Sequence, residues 1–231
     1  MAAITTDNHV KLWNGADGAL LGTHVCGDIV PTVLAANKST IVVGSESGGL
    51  HHMTLTNPQR FWKGEMGANE NIFNEDATRS PHLAAISCLH VSDGGSLIAA
   101  GAFDGKLSIW DLQEKKMLSS FSDITASSAV RRICFGRSST IWVGHSNGGL
   151  RLYDYKAGQL MFTSEVHSGG INLLRLVENG NMLICYDDTR IVSLRDALTG
   201  RLQYSLDTEG EFGYSSLFDT DRSEILPYYS D

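Results

Sequence analysis

The stretch GAFDGKLSIWD, residues 101–111, runs from small residues into a turn pair, Asp104-Gly105. Alternating Leu107 and Ile109 follow, and it closes on Trp110-Asp111. Alone it reads as strand, turn, strand. Its weight comes from recurrence, because self-similarity at a period of about 20–50 residues marks a repeat architecture. The closing pair has counterparts in Trp13-Asn14, Met53-Thr54, Tyr153-Asp154 and Arg195-Asp196, so the anchors stand at 13, 53, 110, 153 and 195, in steps of 40, 57, 43 and 42. Six residues before each anchor come Asp7, Ser47, Asp104, Asn147 and Thr189 (with Asp188 beside it), mostly turn formers. A second mark keeps its own spacing: His82 lies 28 before Trp110, His167 lies 28 before Arg195, and His24 lies 29 before Met53.

Between these marks the chain offers short β-branched and aromatic runs bounded by Gly, Asn, Asp and Ser: TIVVGS, AAISCLHV, SLIAAGA, RRICFG, TIWVGH, RLYDY, INLLRLV and MLICY. Such runs read as strands. The third copy divides into strands at 84–91, 96–102, 106–110 and 116–121. Four strands per period of about 42 residues is one blade of a β-propeller. The expected fold is therefore all-β: a β-propeller of four-stranded antiparallel blades, about five in this chain, forming a single domain over 1–231. Four complete periods lie between two unfinished ends. The opening AAITTDNHVKLW supplies the end of a second strand and a third, whereas GYSSLFDTDRSEILPYYSD supplies a first and a second. Both ends offer a second strand, at 2–6 and 224–229, so the expectation is an open ring, a section of a larger one, or a ring that another chain completes in trans.

With GAFDGKLSIWD and its upstream His82, with SNGGLRLYD, TDNHVKLWN and the His167 copy, the chain resembles the WD-repeat β-propeller family over nearly its whole length. In that family a His, a Ser or Thr, an Asp and a Trp form a hydrogen-bonded network inside a blade. The resemblance assigns structural roles to His82, Asp104, Trp110, His167 and Asp188. Ala100 stands where the family has Ser or Thr, so the third network is expected to lack a partner for the indole N–H. The phosphoinositide motif Arg-Arg-Gly of some relatives is absent, since VRRIC continues with Ile133, and WDLQ has Gln113 where cullin-ligase adaptors have Arg.

At 231 residues the chain is long enough to bury roughly 70% of its unfolded surface. Gly is abundant at 24 and Pro scarce at 4, with 42% hydrophobic residues, which fits a turn-rich globular chain. A net charge of -8 opposes direct binding to nucleic acid or to an anionic membrane. MAAITTDNHV has no basic start and no apolar run, so no secretory signal is expected, and no stretch has the length of a transmembrane helix. Cys26, Cys88, Cys134 and Cys185 are far apart and form no CxxC pair. They read as small buried hydrophobes of a reducing compartment, cytoplasm or nucleus, with neither a disulfide framework nor a metal site. The Asn37-Lys38-Ser39 pattern carries no weight without a signal.

Catalytic signatures are missing. The sequence contains no G-x-S-x-G, phosphate loop, H-E-x-x-H or G-x-G-x-x-G. The Gly pairs read as turns, and His51-His52 on a strand point to opposite faces and cannot chelate one metal. No cofactor and no catalytic residue are expected. The long step from Met53 to Trp110 exceeds the others by about 15 residues. After the strand-like RFWKG comes an acidic insert over 65–82. Glu70, Ile72, Phe73, Glu75, Asp76 and Arg79 are its candidate partner-binding residues, with the aromatic as an anchor. The expected function is a non-catalytic protein–protein interaction scaffold, a subunit of a larger complex. The alternative is a regulatory propeller domain of a multidomain enzyme of kinase, GTPase or phosphatase type.

Overall fold

The computed structural model describes residues 2–36, 40–55, 73–78, 81–122, 128–164 and 167–208. Among the described residues nineteen strands form five antiparallel sheets, each built from consecutive strands. The first holds three strands: β1 (Ala2–Ile4), β2 (His9–Trp13) and β3 (Leu20–Val25). The second holds β4 (Pro31–Ala36), β5 (Thr40–Ser45), β6 (Leu50–Leu55) and β7 (Phe73–Thr78). The third is β8 (Ile86–Val91), β9 (Leu97–Ala102), β10 (Lys106–Asp111) and β11 (Lys116–Ser122). The fourth is β12 (Val130–Phe135), β13 (Thr140–His145), β14 (Leu150–Asp154) and β15 (Gln159–Ser164). The fifth is β16 (Ile171–Val177), β17 (Met182–Asp187), β18 (Ile191–Asp196) and β19 (Leu202–Asp207). The fold is all-β, with the four-stranded antiparallel blades of a propeller. Among the described residues no helix is long and apolar enough to cross a membrane.

By its contacts the chain divides into two compact units, residues 1–130 and 131–231. In the first unit β5 is buried on both faces. Ile41 and Val43 pack with Val10, Leu12 and Met53, while Val42, pointing the other way, packs with Leu50, Ile86, Ile98 and Trp110. In the second unit β17 does the same: Leu183 and Cys185 join Trp142, Leu150, Leu152 and Ile171, and Ile184 and Tyr186 join Val177 and Val192. Alternation across a strand sends neighbours to opposite faces. A strand covered on both sides therefore reads as a continuous apolar run, such as TIVVG or MLICY. Close approach of neighbouring sheets also needs Gly44 and Gly144: a Cβ at either would lie 2.6 Å from Ile86 or Ile171, respectively.

The repeat is visible in defects as well as in strands. Between the last two strands of the first, third, fourth and fifth sheets the register slips at one recurring place, just before the anchor: Leu12/Trp13, Ile109/Trp110, Leu152/Tyr153 and Leu194/Arg195. A bulge here twists the outer strand and re-aims the anchor side chain. The next residue closes the turn. Asn14, Asp111, Asp154 and Asp196 each accept hydrogen bonds through Oδ1 from backbone N–H groups two or three residues on, at 2.7–3.1 Å. This is the local bonding that makes Asp and Asn turn formers.

The second sheet departs from this pattern. It has Thr54 in place of the Asx residue, β6 and β7 pair without a slip, and residues 56–72 separate the two strands. Its fourth strand is Phe73–Thr78, inside the stretch read from sequence as an irregular insert over 65–82. RFWKG, expected to be that strand, lies outside the described residues, as does the 224–229 strand expected at the other end of the chain.

Candidate functional site

His82 stands in the link between the second and third sheets, and Asp104 stands in the turn between β9 and β10. The His82 ring spans the two. Nδ1–H donates to Asp104 Oδ1 at 3.4 Å, and the Ser108 hydroxyl donates to His82 Nε2 at 2.8 Å. The Trp110 indole N–H donates to the same Ser108 Oγ at 2.9 Å. The direction of each bond follows from the ends. An indole can only donate and a carboxylate can only accept, which leaves a neutral His82 protonated on Nδ1. Asp104 also fixes the loops. Its Oδ2 accepts from the Leu83 N–H at 2.9 Å and its Oδ1 from the Lys106 N–H at 3.0 Å. Burial chiefly depresses the His82 pKa, against the pull of Asp104. For Asp104 burial acts upward, but the Leu83 and Lys106 N–H groups and His82 outweigh it and hold the carboxyl below its usual value.

The missing hydroxyl at Ala100 is thus supplied by Ser108, on β10 two residues before the tryptophan, and the third network is complete. Sequence reasoning sought the group on β9. The alternation Lys106-Leu107-Ser108-Ile109-Trp110 was a usable signal, because it places Ser108 and Trp110 on one face.

The fifth sheet repeats the arrangement with two changes. His167 Nδ1–H donates to Asp187 Oδ2 at 3.0 Å, and the Ser193 hydroxyl donates to His167 Nε2 at 2.8 Å. The carboxylate is Asp187, not Asp188 as the turn spacing implied. Asp187 is fully buried and its Oδ1 accepts from the Thr189 and Ile191 N–H groups and the Thr189 hydroxyl at 2.8–2.9 Å. Asp188, its neighbour, points the opposite way, to Arg131 at 2.5 Å and to the Asn172 amide. In the tryptophan's place stands Arg195, 2% exposed, whose Nη1–H donates to the Gly200 carbonyl at 3.0 Å. Its Nε and Nη2 are buried and have no hydrogen-bond partner among the described residues. Burial lowers the His167 pKa, Asp187 opposes it, and Arg195 adds to the depression. His24, which shares the spacing of His82 and His167, belongs to no such link; it lies on β3 opposite Val10.

Asp, His and Ser in series have the connectivity of a hydrolytic triad. Here they cannot act as one. Ser108 is 0% exposed, and its oxygen is already held by an indole N–H, so no carbonyl can reach it. The four cysteines are buried thiols that form no disulfide, with Cys185 pushed up to about 12 by complete burial. Among the described residues no three His, Cys, Asp or Glu are gathered as metal ligands.

The residues next in sequence to this network are exposed. Leu83, next to His82, is 85% exposed, and Phe103, next to Asp104, is 60% exposed. Asp28, Ile29, Val30, Glu46, Ser47 and His51 line a cavity of about 360 Å³. Of the insert residues, Phe73, Glu75 and Asp76 are on the outer strand β7, facing Leu55, Met53 and His52 in register. Glu70, Ile72 and Arg79 lie outside the described residues.

Comparison with known proteins agrees with this architecture. The family described as "WD domain, G-beta repeat" matches residues 75–111, which hold His82, Asp104 and Trp110. Autophagy-related protein 16 of Arabidopsis thaliana is 22% identical over 84% of this chain and 35% of its own length. The small ribosomal subunit protein RACK1z of Arabidopsis thaliana is 29% identical over 37% of the chain and 25% of its own length. RACK1 of Brassica napus is 31% identical over 35% of the chain and 24% of its own length. The chain thus spans about a third or less of the length of these relatives. A chain in a crystal structure of the mitotic checkpoint complex superposes with a TM-score of 0.72 at 14% identity, covering 89% of this chain and 60% of that one. That likeness concerns the fold alone.

Proposed function

We propose that this chain, which carries a WD repeat in a β-propeller fold, is a non-catalytic protein–protein interaction scaffold and works as a subunit of a larger complex. One observation carries the reading. The Ser and His of the two networks are buried inside their blades, and the Asp104 carboxylate pins a loop face bearing large exposed apolar side chains. Rigid display of such anchors suits binding rather than turnover. The relatives support it to the extent of their names: two are ribosomal subunit proteins and one is autophagy-related. Partners are proteins rather than nucleic acid or membrane, in keeping with a net charge of -8.

Affinity purification from the native cell, followed by determination of the complex mass, tests this. A complex well above the 25.1 kDa of the chain is expected. A monomer that retains no protein overturns the reading. The second reading, a regulatory propeller domain of a larger enzyme, is favoured by the partial coverage of the relatives, and sequencing the transcript beyond both ends decides it. We keep the 65–82 stretch as a further contact, carried by Glu70, Ile72, Phe73, Glu75, Asp76 and Arg79. Because β7 belongs to the second sheet, the informative deletion is residues 65–72, which leaves that strand in place. Loss of a partner with an unchanged melting temperature is expected, and full retention of every partner removes the insert from the interface.

A further inference from the structure

We infer that the loop face shared by the second and third sheets docks a basic segment of a partner protein, with a Lys or Arg side chain entering the acidic cavity and an adjacent apolar residue resting on Leu83 and Phe103. The inference rests on the scaffold reading and adds to it a surface and a partner chemistry. The first observation is exposure. Leu83 and Phe103 are among the largest apolar groups left in solvent, and Val30 at the cavity wall is 44% exposed. Single exposed apolar residues are ordinary, but grouped ones mark contact surfaces.

These groups form one surface. The turn bearing Glu46 and Ser47 backs directly onto the link bearing Leu83: a Cβ at Gly48 would lie 2.7 Å from the His82 carbonyl oxygen and 2.9 Å from that of Ala84. The Phe103 N–H donates to Ala85 O at 3.0 Å, and Leu83 N–H to Asp104, so both anchors are pinned at the backbone. A pinned anchor loses little freedom on binding, which is what makes a contact residue energetically useful.

The sign of the partner follows from the cavity. Its ionisable lining is Asp28, Glu46 and His51, with Ser47 as a further polar group and Ile29 and Val30 as apolar wall. Two carboxylates over an apolar wall complement a cationic head on an aliphatic stem, the shape of Lys and Arg. Lys106 is not among the lining residues; its ammonium donates to the Pro81 carbonyl at 3.4 Å. The net charge of -8 steers the same class of partner.

The test uses the purified whole chain, panned against a random heptapeptide display library. Enriched peptides are then titrated against wild type and two double variants, Asp28→Asn/Glu46→Gln and Leu83→Ala/Phe103→Ala. These positions face solvent, so the variants fold, and their circular dichroism and melting temperature verify it. We expect Lys or Arg beside an apolar residue in the enriched peptides. Each double variant should weaken binding about tenfold or more, the loss typical of an interface anchor, and added salt should weaken wild type but not the charge-free variant. Peptides without a basic residue, or equal binding to all three proteins, overturn the docking surface and leave the scaffold reading standing. Absence of any enrichment also overturns the surface, and the scaffold reading is then judged separately by the mass of the native complex.

Discussion

At position 195 a guanidinium lies buried where the third sheet has the indole of Trp110. Among the described residues no carboxylate pairs with it, and a buried cation so placed loses solvation that a single carbonyl bond does not restore. Burial accordingly lowers the Arg195 pKa. Arg195→Trp should let the ring N–H reach Ser193, as Trp110 reaches Ser108. Arg195→Met should remove the charge with no demand on ring fit. We expect either to stabilise the chain by about 1–3 kcal/mol, seen as a rise in the denaturation midpoint. A fall for both variants would mean that the arginine is a stabilising brace in its own right. The buried imidazoles give a pH dependence of fixed sign. Burial depresses His82, His90 and His167 below 6.5, so the fold binds fewer protons than the unfolded chain does. The stability they contribute is full above pH 6.5 and is lost as pH falls below it toward the depressed values. Asp104, held below 3.8, adds a loss only in stronger acid, as the pH falls through its own lowered value. Melting temperatures measured from pH 8 to 5 should fall monotonically below 6.5, and His82→Gln should flatten the slope; a rise on acidification contradicts the neutral-imidazole network.

At the scale of the element, two turns separate conformational strain from collision. Gly18 has φ +72° with open space around it, whereas Gly48 has φ +83° and faces the His82 and Ala84 carbonyls. Gly18→Ala should cost only the left-handed strain, about 1 kcal/mol. Gly48→Ala must in addition displace the link that carries His82, and we expect more than about 2 kcal/mol by chemical denaturation; equal costs would show that the link yields freely. The strands themselves were legible because inner strands are covered on both faces and repeat a turn chemistry. The two misplaced network residues mark the limit of that reading. Asp187 and Asp188 are adjacent in sequence and opposite in direction, and only alternation from the end of β17 separates a buried carboxylate from a surface one. Ser108 was overlooked because its role comes from the neighbouring strand's register. FNEDAT gave no strand signal at all, since an outer strand needs backbone pairing with β6 and no apolar period of its own.

At the scale of the molecule, the repeat was legible because one register of anchors runs from Trp13 to Arg195. On that continuity we propose one propeller domain over 1–231, although contacts group into residues 1–130 and 131–231. The cysteines supply a test, two in each unit. Cys26, Cys88, Cys134 and Cys185 are all buried and outside any disulfide. A thiolate is the reacting form, so a buried thiol must wait for unfolding before a disulfide reagent can label it. Burial pushes Cys185 to about 12, which leaves almost none of it ionised in the fold. The native chain should therefore label at none of the four sites at neutral pH. Increasing urea should release all four in a single step that coincides with the loss of circular dichroism, because a single domain unfolds as one cooperative unit. Two separated steps of two thiols each, Cys26 with Cys88 and Cys134 with Cys185 by mass spectrometry, would instead establish two domains joined near Val130 and end the single-propeller assignment.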